Sequence, residues 1–314
     1  MADPQRIEIT ADIAGQTLAA IVRAHRPELS WSKIDRFVQT RHVRLNGELW
    51  LDSARRVKPG DVIELLDRPD KLPESFVEDL AIRHLDHHVV VVEKPAGIST
   101  VRHPEERDWD SQRRALVPTL DERLQKLVAK RVGASLRQLA RLRKVHRLDK
   151  LTSGLVVFAR SALAEQNLGR QFHAHTVDRK YFAIVFGQPQ VQTIRSWLIR
   201  DRGDGRRGSG LGEGMGKLAV THIEAVAPLG DYSLVTCRLE TGRTHQIRIH
   251  LAESGHPVCG DPVYGKLTED KSGAPRLALH AAELGFTHPA TGERLHWTMP
   301  LPPDFANFVE KNKI

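Results

Sequence analysis

The chain has 314 residues with 47 Lys/Arg against 39 Asp/Glu, a net charge of +8, and 40% hydrophobic residues. That composition suits a folded two-domain protein with a sizeable core, and the basic balance favours a polyanionic partner. Two cysteines without a C-x-x-C pair, no apolar leader and no run approaching 18 apolar residues argue against a disulfide scaffold or a membrane protein and lead to the expectation of a cytoplasmic, monomeric chain.

The charge is uneven. Residues 1–80 hold 12 Lys/Arg and 14 Asp/Glu, so the excess of cations lies in residues 81–314. Leu18, Ile21, Val22 and Leu29 recur at helical spacing over 15–30, and a second helix is expected over 30–38 with Ser30 as its cap. Val43-Arg44-Leu45 runs into Asn46-Gly47, a strong hairpin signal, and Lys58-Pro59-Gly60 precedes another strand at 62–65. Residues 67–80, with Pro69 and Pro73, read as a linker between a domain at 1–66 and a larger one at 81–314.

In the larger domain, Val89–Val92 is a buried strand that ends in Lys94-Pro95-Ala96-Gly97. Residues 102–118 are highly charged, contain Trp109 and read as an inserted loop. An amphipathic helical region is expected over 119–143, with Leu120, Leu124, Leu127, Val128, Leu136, Leu139 and Leu142 at helical spacing. Between Arg123 and Lys150 there are ten Lys/Arg and one acid, Asp149. Ten cations around one carboxylate fit a phosphate-binding surface about a reactive group. Strands follow at 155–159, 179–186, 217–221 and 232–239. Seven glycines between 203 and 216 read as a mobile hairpin tip, with Arg202, Arg206 and Arg207 able to touch a phosphate backbone. The mostly antiparallel pattern predicts an α+β fold, a mixed central sheet with flanking helices.

Four strings carry chemistry: Lys94-Pro95-Ala96-Gly97, His146-Arg147-Leu148-Asp149-Lys150-Leu151-Thr152-Ser153-Gly154, Lys180-Tyr181-Phe182-Ala183 and Thr241-Gly242-Arg243-Thr244-His245-Gln246-Ile247-Arg248. The last continues through Gly260-Asp261 to Tyr264-Gly265. A carboxylate between cations stays ionised and can serve as a nucleophile. His245 and His250 have H-x-x-x-x-H spacing with no completing cysteine or carboxylate, so no metal is expected.

In this order the four strings resemble the motifs of the RluA family of pseudouridine synthases, which convert uridine to pseudouridine within RNA. The resemblance spans about residues 85–300 and includes His280-Ala281-Ala282 and Thr287–Glu293. It implies that Asp149 is the nucleophile, that Tyr181 stacks on uracil and helps remove the C5 proton, and that Arg248 pairs with Asp149, orienting it bidentately. It puts Arg147 against the flipped nucleotide, makes Leu155 and Ile247 apolar walls, and leaves Arg243 and His245 for structure or RNA contact. No cofactor is implied.

Two helices followed by a hairpin in the first domain resemble the S4 RNA-binding module, with Arg23, Arg26, Lys33, Arg36, Arg41 and Arg44 as its basic face. The usual opening R-L-D is absent, and Gly15-Gln16-Thr17-Leu18 stands in its place. An S4-like domain commonly accompanies members acting on large-subunit rRNA, so rRNA is the expected partner and tRNA the alternative. A non-catalytic RNA-binding protein would not need Asp149, Tyr181 and Arg248 intact. A carboxylate-based nucleosidase would want a second carboxylate as general acid.

Overall fold

The computed structural model describes residues 4–70, 80–106, 109, 114, 117–210, 212–265 and 272–313. The chain forms two compact units, one of Met1–Leu72 with Leu198–Gly216 and one of Pro73–Trp197 with Lys217–Ile314. Most of the expected linker, 71–79, lies outside the described residues.

The first unit orders as β1 (Gln5–Glu8), α1 (Leu18–His25), α2 (Trp31–Gln39), β2 (Val43–Leu45), β3 (Glu48–Leu49) and β4 (Val62–Leu65). Thr17 caps α1 by accepting from the Ala20 N–H, whereas Ser30 occupies the cap position of α2 without a side-chain bond. Asn46 (φ 54°) and Gly47 (φ 75°) both take the left-handed conformation that a tight two-residue hairpin turn requires. The sheet runs β1-β4-β2-β3 and buries Val43, Leu45, Ile63 and Leu65 against Leu18, Val22, Ile34 and Val38. β1 was not expected from the sequence.

The basic face of this unit is partly neutralised. Arg44 forks onto Asp70 through two 2.8 Å bonds and lies 3.7 Å from Glu64, and Arg26 pairs with Asp67 at 3.6 Å. Arg23 lies over the Trp31 ring, and Arg41 is half-buried with φ 73°. Lys33 and Arg36 stay exposed on α2. In the glycine-rich segment Arg202 pairs with Asp204, and Arg206 donates to the Gly60 carbonyl at 2.9 Å. Gly208–Ser209 (β11) pairs there with Leu198 and Ile199.

The second unit is built on a sheet of order β10-β12-β13-β9-β14-β8-β6-β5. These strands are β5 (Ile82–Leu85), β6 (Val89–Lys94), β8 (Ser153–Ala159), β9 (Asp178–Phe186), β10 (Gln192–Ile199), β12 (Lys217–Leu229), β13 (Tyr232–Leu239) and β14 (Leu279–Thr287). The short β7 (Arg143–Lys144) joins β8, and β15 (Arg294–Thr298) joins β14. β14 and β8 run parallel and the neighbouring pairs antiparallel, which gives the expected mixed α+β architecture.

Helices cover both faces of the centre. Val156 and Phe158 of β8 face a cluster with Leu120, Leu124 and Val128 of α3 (Leu120–Val132) and Phe305 of α6 (Pro303–Asn312). Leu155, Val157 and Ala159 face the opposite cluster with Ala164 and Leu168 of α4 (Ala162–His173). The remaining helix of this unit, α5 (Gln246–Glu253), follows β13. Gly154 (φ 119°) lies where β8 meets β14, and a Cβ there would stand 2.2 Å from the Ala281 carbonyl oxygen. Only glycine allows the two strands to approach so closely.

The expected helical region at 119–143 is shorter than its periodicity. α3 ends at Gly133, whose φ of 67° closes the helix with a left-handed cap. Leu136 is then exposed in a turn rather than on a helix face. Of the 102–118 insertion, Pro104–Glu106 forms a 3-10 turn, Arg102 bonds Glu122 and the Val117 carbonyl, and its guanidinium lies over the Trp109 ring.

Candidate active site

Residues 145–152 form the loop between β7 and β8, and its shape is held by a buried lysine. Lys94 is 1% exposed at the end of β6, and its Nζ donates to the carbonyls of Pro95, Lys150 and Thr152 at 2.6–3.0 Å. The Gly97 N–H donates to the Lys150 carbonyl, and Thr100 Oγ1 both donates to the Leu148 carbonyl and accepts from the Leu148 N–H. His146 Nε2 accepts from the Val157 N–H at 3.0 Å. Burial pushes that ring's pKa down to about 3, so it is a neutral acceptor. With the backbone on either side pinned, Asp149 is fixed at the floor of a cleft of about 520 Å³.

Arg248 on α5 reaches Asp149 as its position in the string implied, but not bidentately. Its Nη1 donates one bond of 3.2 Å to Asp149 Oδ2. Nε and Nη2 instead fork onto the two oxygens of Asp261 at 2.8 Å each. Asp261 is held by the backbone N–H groups of Val263 and Tyr264, so the guanidinium is anchored on the protein side and offers its remaining edge to Asp149. Burial acts to raise the pKa of Asp149. The charges of His245 and Arg248, the Arg248 hydrogen bond and the charge of Arg147 outweigh it and hold the carboxyl below its usual range. Burial acts against the charge on Arg248, yet Asp261 and Asp149 raise its pKa.

His245 caps α5 with φ 58°, a left-handed conformation that costs a non-glycine residue about 1 kcal/mol. That backbone turn sets its Nε2 3.8 Å from Asp149 Oδ1, with Nδ1 at 2.9 Å from the Tyr264 hydroxyl. Arg243 lines the cleft and donates from Nε to the Leu218 carbonyl. Tyr181 and Ile247 are buried wall residues of the cleft, and Arg147 lines it from an exposed position. Burial raises the pKa of Tyr181, and the Asp149 charge adds to this, while Arg179 opposes it. The phenol is therefore protonated at neutral pH.

Leu155 does not belong to this group. Side chains alternate along β8, and Leu155 packs in the cluster with Ala164 and Leu168 of α4 without lining the cleft, whose apolar lining includes Leu148, Phe172, Leu239, Ile247 and Leu279. Sequence reasoning missed three charged residues. Lys94 and Asp261 lie inside quoted strings whose order carries no distance information. Arg179 immediately precedes the K-Y pair and lines the cleft.

Two clusters elsewhere have metal-like spacing, His84/Asp86/His288 and Asp178/Glu283/His296. In the first, His288 Nδ1 accepts from the Thr291 N–H at 3.0 Å, so Nε2 carries the proton and donates to Asp86. That is a carboxylate clamp rather than a set of free lone pairs. The second is threaded by ion pairs with Lys180 and Arg294.

Residues 88–253 match the model of the RNA pseudouridylate synthase family. The chain is 34% identical over 312 residues to the protein named ribosomal large subunit pseudouridine synthase D of Zymomonas mobilis, covering 96% of this chain and 95% of that protein. It is 33% identical to a protein of the same name from Nitrosomonas europaea, over 97% and 87% of the two chains. The fold is similar to that of human RNA Pseudouridylate Synthase Domain Containing 4, with a TM-score of 0.58 at 23% identity over 74% of this chain and 92% of that one. Since the matched stretch is more than half of the chain and contains Asp149, Tyr181 and Arg248, and since the relatives align along nearly its whole length, the chain belongs to the RNA pseudouridylate synthase family, isomerases that turn uridine into pseudouridine.

Proposed function

We propose that the chain isomerises uridine in large-subunit ribosomal RNA with Asp149 as the nucleophile. The observation that carries this reading is the single carboxylate held ionised by Arg248 at the floor of a cleft walled by Tyr181. The names of the relatives in Zymomonas mobilis and Nitrosomonas europaea favour ribosomal RNA as the substrate class.

The chemistry assigned to each residue follows from its place. The target nucleotide leaves the RNA stack and enters the cleft, a step that costs a few kcal/mol and is offset by contacts such as Arg147 at the exposed wall. Uracil stacks on Tyr181, with Ile247 and Leu279 excluding water. Asp149 attacks either the anomeric carbon or C6 of the ring, and the N1–C1′ bond breaks. The base turns and rejoins C1′ through C5. Tyr181, protonated at rest, passes on the C5 proton through its hydroxyl. Arg243 and His245 hold the rim of the site and contact the RNA backbone. The N-terminal domain of residues 1–66 is an S4-like module, joined through 67–80 to the catalytic domain of 81–314, and the exposed Lys33 and Arg36 of α2 are its phosphate contacts.

Pseudouridine mapping of total RNA from cells with and without this protein tests the reading. The expected result is loss of specific large-subunit rRNA pseudouridines, restored by the intact chain and not by Asp149→Ala. Loss confined to tRNA would overturn the substrate, and restoration by Asp149→Ala would overturn the nucleophile.

A further inference from the structure

Arg179 is a buried cation with no carboxylate paired to it among the described residues. It sits two residues before Tyr181 on β9, so both side chains leave the same side of the strand. Its side chain is packed away at 6% exposure and lines the cleft that holds Asp149. Nη2 donates to the Glu240 carbonyl at 2.9 Å, and the guanidinium lies 5.5 Å over the Phe172 ring. Nε has no hydrogen-bond partner, and among the described residues no carboxylate pairs with it. Its charged and polar neighbours are Arg243, His146 and Tyr181. Nη1 comes so near Gly242 that a Cβ there would stand 2.6 Å away, so the backbone of the cleft wall is shaped around this guanidinium.

Burying an arginine against one neutral carbonyl is unfavourable unless a negative group arrives to face it. Arg248, the other buried arginine of the cleft, faces Asp261 and Asp149. Lys94 is satisfied by three carbonyls, and the buried Arg123, which also lacks a carboxylate among the described residues, does not line the cleft. An unbalanced buried charge in a cleft marks a functional residue. Resting on the reading that this cleft takes the target uridine, we infer that Arg179 stabilises the negative charge that develops on the pyrimidine ring during isomerisation.

Both routes for Asp149 create that charge. When the N1–C1′ bond breaks, its electron pair stays with the ring and spreads over N1, O2 and O4. When the carboxylate adds to C6, the pair of the C5–C6 double bond moves toward C5 and O4. The ring later bonds C1′ through C5, C5 gives up its proton and N1 takes one, so atoms and charge balance. A fixed cation in a dry wall stabilises this charge without reorganising. A backbone phosphate is the other anion that RNA could offer. It would remain at the rim, where the exposed Arg147 meets it, whereas Arg179 lies beside the ring-stacking Tyr181.

The test uses Arg179→Gln and Arg179→Lys in the full chain, with the intact protein and Asp149→Ala as positive and negative controls. If the intact protein fails to turn over the mapped rRNA fragment, the proposed function fails rather than this inference. For Arg179→Gln we expect RNA affinity within about 2-fold, an unchanged salt slope, and a single-turnover rate at saturating RNA at least about 30-fold lower. A rate within about 3-fold of the intact protein overturns the inference, as does a loss seen as weaker binding with a salt slope shallower by about one, the mark of a phosphate contact. Arg179→Lys keeps the charge at low pH, but a lysine buried there has a depressed pKa. Its rate relative to the intact protein should therefore fall between about pH 6.5 and about pH 9. A pH-independent ratio would overturn the inference even if Arg179→Gln did not fold.

Discussion

Asp261, not Asp149, takes the fork of Arg248: Nε and Nη2 each donate to one Asp261 oxygen at 2.8 Å. Asp261 is inaccessible to solvent and Arg248 is 5% exposed, so the pair is a rigid mount. Asp149, 16% exposed, receives only the third edge of the guanidinium. Asp149 is thus oriented by a cation that is itself fixed from behind, which leaves Oδ2 with the one Arg248 bond and Oδ1 at 3.8 Å from His245.

Asp261→Ala should be more damaging to stability than its distance from the substrate suggests. It leaves the buried Arg248 half-paired, a loss of about 3–5 kcal/mol in urea unfolding. Asp261→Asn keeps the volume and one acceptor, so it should fold but lose activity about 10–100-fold as Arg248 is released. An Asp261→Asn variant with the rate of the intact protein would show that the mount is not needed.

Asp149→Asn should abolish pseudouridine formation while RNA affinity stays within about 3-fold. The carboxylate is one acid in a basic run, so its removal takes away no phosphate contact. Filter binding and single-turnover assays on the same RNA separate the two effects.

Tyr181→Phe preserves the stacking surface and removes the hydroxyl. RNA binding should be unchanged and the single-turnover rate about 100-fold lower or worse. Equal rates would assign the C5 proton to another acceptor, most directly a water in the cleft.

Lys94→Met replaces a buried cation that satisfies three carbonyls around the 145–152 loop. Its loss should destabilise the fold by about 2–4 kcal/mol and lower the rate more than the fall in folded fraction explains. Urea midpoints and rates measured well below the transition test both parts.

Asp86 accepts from His84 and His288 and from the backbone N–H groups of His88 and Val89. Burial opposes ionisation, but the bonds from His84, Val89 and His88 and the His84 charge bring the carboxyl down to about 2 from an ordinary 3.8. A folded pKa below the unfolded one gives stability that is present above the unfolded value and lost as pH falls through the folded value. The intact protein should lose stability between about pH 4.5 and about pH 2, and Asp86→Asn should show a shallower decline there. Parallel urea titrations across that range decide it; identical slopes would remove Asp86 from the acid transition.

The hairpin at Asn46-Gly47, the buried strand at 89–92 and the strand entering from Asp149 are all legible in the sequence because each depends on local chemistry: turn residues, period and apolar runs. Helix α3 was readable only as far as Gly133, since leucines beyond it keep the spacing by accident while the glycine ends the helix. Leu155 shows a different limit. β8 is buried on both faces, so its apolar run does not tell a cleft residue from a core one.

The sequence by itself determined the family motifs and their order and set Asp149 among cations, because residue type and spacing along the chain are enough for these. Only the tertiary structure decided what each charge is balanced against. Asp149 and Arg248 are 99 residues apart in sequence and Lys94 reaches a carbonyl 58 residues away. Asp261 proved to be the anchor of Arg248, and Arg179 was left without a carboxylate among the described residues. Such pairings depend on Coulomb energy and desolvation at distances of a few ångströms, and chain folding, not sequence order, sets those distances.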